Sequence, residues 1–271
     1  MQQSPSRWLV HTPMTDPASL AALVGGLPGE ITALSQVVQG LIVHCAWLEQ
    51  YSDSGAFGIV SRTTLPVKER LAALVKRDGR ELESRMPTQR EVGTCRDFAL
   101  MMCAFLRAKG TAARLRCGFA SYLGEGWEDH WICEYWNSRE ARWCLSDAQL
   151  DEVVKAACSV TFDTSNVPRN MFLTAGEAWL RCRVGNDDPN RYGQGSIRGI
   201  WFMSVNVVRD AFAVNNRETS AWDRWREAPS ELRTVSQQEL TMFDKLSCNP
   251  EEAFRELMPP WLGGGAVIEL A

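Results

Sequence analysis

One cysteine in the middle of the chain has a setting in which a thiol could act as a nucleophile. Cys95 follows Gly93-Thr94 and begins a segment whose apolar residues recur at helical spacing, so we expect it at the N-terminus of a helix. The partial positive charge and free N–H groups of a helix N-terminus favour the thiolate, which is the reactive form of cysteine. None of the other eight cysteines has so clear a location. Cys95 is therefore the candidate nucleophile.

A histidine and an aspartate follow at positions where they could serve that thiol. His130 opens an extended segment, Asp147 ends the next one, and the turn-forming run 137–140 separates the two. A hairpin would place His130 and Asp147 side by side at one end of a sheet, facing the start of the Cys95 helix. The histidine would take and return the thiol proton, and the carboxylate on its far ring nitrogen would fix the imidazole tautomer.

Each of these residues also has an ordinary structural explanation. Cys95 could be a buried packing thiol, and His130 could be a hydrogen-bonded histidine within a strand. Asp147 could be an acid in a turn, in which case Gln149 or Asp151 would orient the imidazole instead. The occurrence of three chemically required residue types in this order favours catalysis over these alternatives.

The segments around these residues predict how a fold would position them. Thr94 is a credible N-cap for the Cys95 helix, and Asp97 stands at the capping-box position three residues later. The charges at Glu69-Arg70 are expected on the exposed face of an earlier helix. Helices are predicted over 30–50, 65–76, 95–109, 150–157, 175–183, 203–214, 237–246 and 250–257, and strands over 112–122, 130–136 and 142–145.

The order of these segments indicates the fold class. Helices come first, then the Cys95 helix, a run of strands, and helices again, which argues for an α+β fold rather than a doubly wound sheet. We expect an N-terminal arm over 1–16 with little structure of its own and a core with its N-terminal helices over 17–160. A helical extension over 161–271 is expected to pack on that core.

Composition argues against several classes of protein. The 271 residues carry a net charge of −4, which gives no bulk attraction to nucleic acid or to an anionic membrane. Nine cysteines, an odd number without a CxxC pair, fit reduced thiols in a cytoplasm better than a disulfide framework. With three histidines and no cysteine cluster, we expect no metal site and no cofactor. No apolar run suits a signal peptide or a membrane span, so we expect a cytoplasmic protein.

The stretch from Gln89 to Asp151 resembles the transglutaminase-like core of the papain-type fold. Gly93 to Ala99 matches the nucleophile segment of that family, and Leu106 to Arg114 is similar to its helix exit into the first strand. His130-Trp131 with Glu134 resembles the histidine segment of the family. Trp143 with Asp147 resembles its aspartate segment. The chain also resembles a group of bacterial proteins of similar length that carry this core.

Two departures from the family pattern stand beside the triad. Trp131 follows His130 directly, where the family often has His-Ala-Trp. Ala148-Gln149 follows Asp147, where the family often has Pro-Thr. Both departures leave the three triad residues in place.

The resemblance implies a papain-like core in which a central nucleophile helix packs on an antiparallel sheet, with flanking N- and C-terminal helices. It implies acyl transfer from a peptide, amide or thioester substrate through a thioester intermediate on Cys95, with His130 and Asp147 completing a triad. Hydrolysis of an amide bond, by a peptidase, deamidase or amidase, is the first hypothesis. An amide-forming acyltransferase of small-molecule biosynthesis and a non-catalytic binding module with this fold are the alternatives. Substrate and oligomeric state stay open.

Three further residues are candidates for the site. Gln89, six residues before Cys95, has the spacing of the oxyanion glutamine in papain-like proteases, and the backbone N–H of Cys95 is the natural first oxyanion donor. Trp127 and Trp131 flank the proposed site and could wall a substrate cleft. Ordinary packing of these two indoles is an equal alternative.

Overall fold

The computed structural model describes residues 5–52, 55–59, 66–218 and 234–257. The chain forms two compact units, and each is built from two stretches of chain. The first unit comprises Met1–Leu115 and Ile132–Pro168, and the second comprises Arg116–Trp131 and Arg169–Ala271. The stretches alternate along the chain because two long strands each contribute residues to both units.

Helices and strands alternate in blocks, as an α+β fold requires. The helices in the described residues are α1 (Ala21–Gly25), α2 (Ile31–Leu41), α3 (Val67–Asp78), α4 (Cys95–Ala108), α5 (Glu152–Ala157), α6 (Ala175–Arg183), α7 (Ile200–Val214), α8 (Gln237–Cys248) and α9 (Pro250–Leu257). The strands there are β1 (Ile42–His44), β2 (Glu91–Gly93), β3 (Ala113–Ala120), β4 (Trp127–Asn137), β5 (Arg142–Ser146), β6 (Phe172–Thr174), β7 (Tyr192–Gln194) and β8 (Ile197–Arg198).

The first predicted helix is shorter than its apolar pattern indicated. The pattern predicts a helix over 30–50, but α2 ends at Leu41 and the chain continues as β1. Ile42 and Val43 are β-branched and fully buried, and they pair in parallel with Glu91 and Val92 of β2. The prediction was wrong there because a pairing with a distant strand outweighs a local helical periodicity.

Helix α4 is the central helix of the first unit. Every residue from Arg96 to Arg107 is buried, so the helix is covered on all sides. The structure confirms the predicted start at Cys95, and Gly110 follows the helix with a positive φ of 73°. A glycine tolerates that left-handed conformation without a Cβ clash, which explains the sharp exit into β3.

The strands around α4 confirm the predicted hairpin. In the first unit, β4 pairs antiparallel with β5, from Cys133 opposite Ser146 to Asn137 opposite Arg142. In the second unit, β3 pairs antiparallel with β6, whereas β4 pairs in parallel with β7. The sheet is therefore mixed rather than wholly antiparallel, and the α+β class is confirmed.

The N-terminal residues are better anchored than the prediction of an arm implied. Pro5–Trp8 forms a 3-10 turn, and the Trp8 side chain is buried. The Arg114 guanidinium lies 4.5 Å from the ring centroid of Trp8 and 4.1 Å from that of Trp143. Arg114 also donates from Nε to Glu134 Oε2 at 2.8 Å. Cation–π contacts and a buried ion pair thus hold this turn in the first unit.

A buried ion pair organises the second unit. Arg116 on β3 donates from Nε and Nη2 to the two carboxylate oxygens of Asp210 on α7, at 2.9 and 2.7 Å. The backbone N–H of Cys117 donates to the same carboxylate at 2.9 Å. Helix α7 packs with α6, α8 and α9 around a common apolar core, so the Arg116–Asp210 pair connects that core to β3.

A helix that could span a membrane does not occur in the part of the chain that the structure describes.

We expect Asp210→Asn to destabilise the protein by about 3–5 kcal/mol, because it leaves the Arg116 guanidinium buried without its charge partner. The matched control is Glu152→Gln, since the Glu152 side chain is 91% exposed in its ion pair with Lys155. That control should change stability by less than about 0.5 kcal/mol. Urea unfolding followed by tryptophan fluorescence measures both. Equal effects of the two substitutions would contradict the structural role given to Asp210.

Candidate active site

The first turn of α4 holds Cys95 through a complete capping box. The backbone N–H of Thr94 donates to Asp97 Oδ2 at 2.8 Å, and the Thr94 hydroxyl lies 3.2 Å from the same oxygen. The Thr94 side chain in turn receives the backbone N–H of Asp97. Cys95 is the first helical residue and is half-buried, so it lies at the positive end of the helix dipole.

The second oxygen of the Asp97 carboxylate faces two arginines. Arg70 on α3 lies 2.9 Å from Asp97 Oδ1 through Nη2, and Arg96 Nη1 lies 3.7 Å from the same oxygen. Both guanidinium groups and the carboxylate are buried. The negative charge of the capping residue is therefore compensated beside Cys95. Without that compensation, a buried carboxylate two residues from Cys95 would oppose thiolate formation.

Arg70 was missed in the sequence, where its charge was expected on an exposed helix face. Glu69 is exposed as predicted, but Arg70 is only 1% exposed, and the prediction for it was wrong. The signal that could have found it is spacing. Arg70 falls on the same face of α3 as the fully buried Val67, Leu71 and Leu74.

A second thiol lies near the start of α4. Strand β1 runs parallel to β2, and the backbone N–H of Cys45 donates to the Gly93 carbonyl at 2.9 Å. Burial raises the pKa of the Cys45 thiol, and the neighbouring Cys95 raises it further. Cys45 therefore stays protonated at neutral pH, which favours Cys95 as the reactive thiol of the two.

His130 lies on β4 in the second unit and is 1% exposed. Its ring centroid is 6.0 Å from that of Tyr122 and 6.3 Å from that of Phe172, and both contacts are edge-on. Two aromatic rings thus restrict the orientation of the imidazole. The neighbouring Asp129 points to the opposite face of the strand, where it accepts from Asn206 Nδ2 at 2.7 Å. Burial raises the pKa of Asp129.

The alternation of side chains along β4 also places the two tryptophans that are candidates for substrate binding. Trp127 and Trp131 are an odd number of positions from His130, so their side chains leave β4 on the face of Asp129. Trp127 stacks on Tyr192 with ring centroids 5.7 Å apart, within the core of the second unit. Trp131 is 1% exposed. This geometry favours packing for both indoles, and their role in substrate binding stays a prediction.

Asp147 follows β5 in the first unit and is 2% exposed. Its backbone N–H donates to the Thr164 carbonyl at 2.9 Å, and its Oδ1 accepts from the backbone N–H of Gln149 at 3.1 Å. The alternative acid, Asp151, is engaged elsewhere. It caps α5 through Oδ1, and its Oδ2 accepts from the Tyr51 hydroxyl at 2.8 Å. These contacts favour Asp147 as the acid that orients a base.

Gln89 lies at the end of the 3-10 turn Pro87–Gln89 in the first unit and is exposed. Its Oε1 accepts from Arg80 Nη2 at 3.0 Å, and its carbonyl accepts from Arg77 Nη1 at 2.9 Å. Because the side-chain oxygen is engaged, the amide Nε2 is the group left to act as an oxyanion donor. That role stays a prediction.

Residues 67–148 match the model of the transglutaminase-like superfamily. This part of the chain is similar to the transglutaminase-like core. The match begins with α3 and ends just after Asp147, so it includes Cys95, His130 and Asp147. It covers less than a third of the chain.

The crystal structure of a candidate cysteine protease from Cytophaga hutchinsonii is similar to the chain at 16% sequence identity, with a TM-score of 0.39. The similarity covers 64% of this chain and 46% of that chain, so it spans less than half of the compared protein. No curated protein matches the sequence.

We expect Arg70→Met to slow the alkylation of Cys95 at pH 7 by about tenfold, because the Asp97 carboxylate loses its main counter-charge. Adding Asp97→Asn should restore the rate, since asparagine keeps an acceptor for the Thr94 N–H but carries no charge. Iodoacetamide labelling of Cys95 at pH 7, read by peptide mass spectrometry, measures the rate. A folded Arg70→Met protein with an unchanged rate would restrict Arg70 to packing.

Proposed function

We propose that the protein is a cysteine-dependent acyl-transfer enzyme that hydrolyses an amide bond with a triad of Cys95, His130 and Asp147. The observation that carries this proposal is the position of Cys95 as the first residue of a capped, buried helix inside a transglutaminase-like core. A structural thiol has no need of a helix N-terminus, whereas a nucleophilic thiol gains reactivity there.

The triad divides the work between three chemical roles. The Cys95 sulfur attacks the substrate carbonyl carbon, and the thiol proton passes to the imidazole of His130. The tetrahedral intermediate collapses, the imidazolium protonates the leaving amine, and a thioester remains on Cys95. Water, deprotonated by His130, then attacks the thioester and releases the acid. Asp147 fixes the imidazole tautomer and stabilises its cation.

The developing oxyanion needs hydrogen-bond donors during both attacks. The backbone N–H of Cys95 is the first donor, since it is among the N–H groups that α4 leaves without an intrahelical acceptor. We propose the amide Nε2 of Gln89 as the second. Both donors carry no proton that titrates near neutral pH, so they would act across the working range.

The substrate class follows from this chemistry. A peptide, amide or thioester offers the carbonyl that the thiolate attacks, and a free amine in place of water would turn the enzyme into an acyltransferase. The cytoplasmic location expected from the cysteine pattern belongs to the same proposal, because a reduced Cys95 is required for attack.

We expect p-nitrophenyl acetate, a generic acyl donor, to give a burst of nitrophenol and an acetyl group on Cys95. Cys95→Ala should abolish the burst, and His130→Ala should slow it by about 10²–10⁴-fold because the general base is lost. The matched control is Cys248→Ala, which removes an exposed thiol far along the chain and should leave the burst unchanged. Peptide mass spectrometry locates the acetyl group.

The same assay separates the hypotheses. Faster turnover on addition of an amine, with amide product, would identify an acyltransferase. Acetylation spread over several cysteines, with Cys95 no faster than Cys248, would leave the non-catalytic binding module as the better description.

Asp147→Asn should lower the acylation rate by about 10²-fold or more, because the asparagine cannot stabilise the imidazolium. Asp151→Asn should leave the rate within about twofold, since asparagine keeps an oxygen that can cap α5 and accept from Tyr51. The two substitutions are chemically identical and lie four residues apart, so the comparison tests which acid serves the base. A rate lost with Asp151→Asn and kept with Asp147→Asn would reverse the assignment.

A further inference from the structure

We propose that Cys45 is a resolving thiol, which forms a reversible disulfide with Cys95 after a hydroperoxide has oxidised Cys95. The inference rests on the proposed function, because it takes Cys95 as the reactive thiol. It assigns a modification site to a residue that the acyl-transfer chemistry does not use.

Backbone pairing brings the two cysteines close together. His44 on β1 lies opposite Gly93 on β2, and the ladder continues one residue further through the bond from the Cys45 N–H to the Gly93 carbonyl. In a parallel ladder this bond sets Cys45 opposite Thr94, the residue bonded directly to Cys95. Paired strands lie about 4.8 Å apart, and Cys95 is one Cα–Cα step of about 3.8 Å beyond the residue opposite Cys45. The two cysteine Cα atoms are therefore roughly 6 Å apart, within the separation of about 4.4–6.8 Å that disulfides span.

Exposure and charge give the two thiols different roles. Both are half-buried, so a small peroxide has access to this part of the first unit. Burial and the neighbouring Cys95 both raise the pKa of Cys45, which keeps it as the less reactive thiol. Cys95 begins α4, and the N-terminus of a helix favours the thiolate form that attacks a peroxide.

Another cysteine pair provides an internal comparison. The Cys103 and Cys133 sulfurs are 3.5 Å apart, but both residues are fully buried. Burial also raises the pKa of Cys133. These thiols are close but shielded, so proximity without access should leave them reduced.

The chemistry balances with one hydroperoxide. The Cys95 thiolate attacks a peroxide oxygen, the O–O bond breaks, and an alcohol or water leaves while the sulfur becomes a sulfenic acid. The Cys45 sulfur then attacks the Cys95 sulfur, the S–O bond breaks, and water leaves. Two thiols and one peroxide thus give a disulfide, water and the alcohol. A dithiol reductant returns both electrons and restores the thiols.

The disulfide would store the enzyme in an inactive form. It removes the nucleophile, and it also removes the sulfenic acid before further oxidation to the irreversible sulfinic acid. Cys45 would therefore protect Cys95 rather than take part in acyl transfer.

The test treats the full-length protein with hydrogen peroxide, quenches it with iodoacetamide and maps all nine cysteines by peptide mass spectrometry. We expect a Cys45–Cys95 linked peptide, and dithiothreitol should restore the alkylation of Cys95. Cys45→Ser, which is nearly isosteric, should instead accumulate Cys95 sulfinic acid, with recovery by dithiothreitol reduced about tenfold. Cys248→Ala should behave as the unaltered protein does.

Two results would overturn the proposal. One is equal accumulation of Cys95 sulfinic acid with and without Cys45, and the other is a Cys103–Cys133 disulfide as the sole linkage. The p-nitrophenyl acetate burst is measured on untreated, reduced aliquots of the same preparation. A burst at Cys95 in the untreated protein, with no linked peptide after peroxide, defeats the proposed disulfide alone. The linked peptide after peroxide, with no burst in the untreated protein, defeats the proposed function alone.

Discussion

The carboxylate of Asp97 is the interaction on which the start of α4 depends. One oxygen holds the Thr94 backbone and hydroxyl, and the other pairs with Arg70 on α3. A helix cap is worth about 1 kcal/mol, whereas breaking a buried ion pair costs about 3–5 kcal/mol. The ion pair is therefore the stronger constraint. Because Asp97 also binds Thr94, the residue before Cys95, the ion pair links the start of α4 to α3. The position of Cys95 is a property of this network rather than of its own side chain.

Alternation along β4 separates packing from chemistry within the second unit. One face of the strand carries Trp127 in the apolar core and Asp129 in a hydrogen bond with Asn206. The opposite face carries His130, which lies between the rings of Tyr122 and Phe172. A shift of one residue in register would exchange these two sets, moving the imidazole into the apolar core and Trp127 to the opposite face of the strand. The large buried indole therefore helps to keep the histidine on its face.

Local signals in the sequence predicted those features that neighbouring residues determine. The start of α4 at Cys95 depends on residues within one turn, and it is confirmed. The hairpin of β4 and β5 was also predicted correctly, because a short turn joins the two strands. Of the candidate site, the helix-terminal position of Cys95 was predictable in this way.

The features that the sequence did not reveal depend on distant partners. Strand β1 exists because it pairs with β2, so the periodicity around Ile42 indicated a helix instead. Arg70 is buried because Asp97 lies on another helix, and no local pattern around Arg70 contains that carboxylate. The charge of Arg70 argued for exposure, and only its spacing with Leu71 and Leu74 argued against it. Long-range pairing thus limits what a single sequence predicts.

The most direct test of the central claim compares the alkylation rates of all nine cysteines at pH 6, with and without His130→Ala. Burial and Asp187 raise the pKa of Cys182 to about 11, so that thiol provides a slow reference within the same molecule. The account predicts that Cys95 alone reacts fast and that His130→Ala slows it. Reaction of Cys95 at the rate of the exposed Cys248, unchanged by His130→Ala, would contradict it.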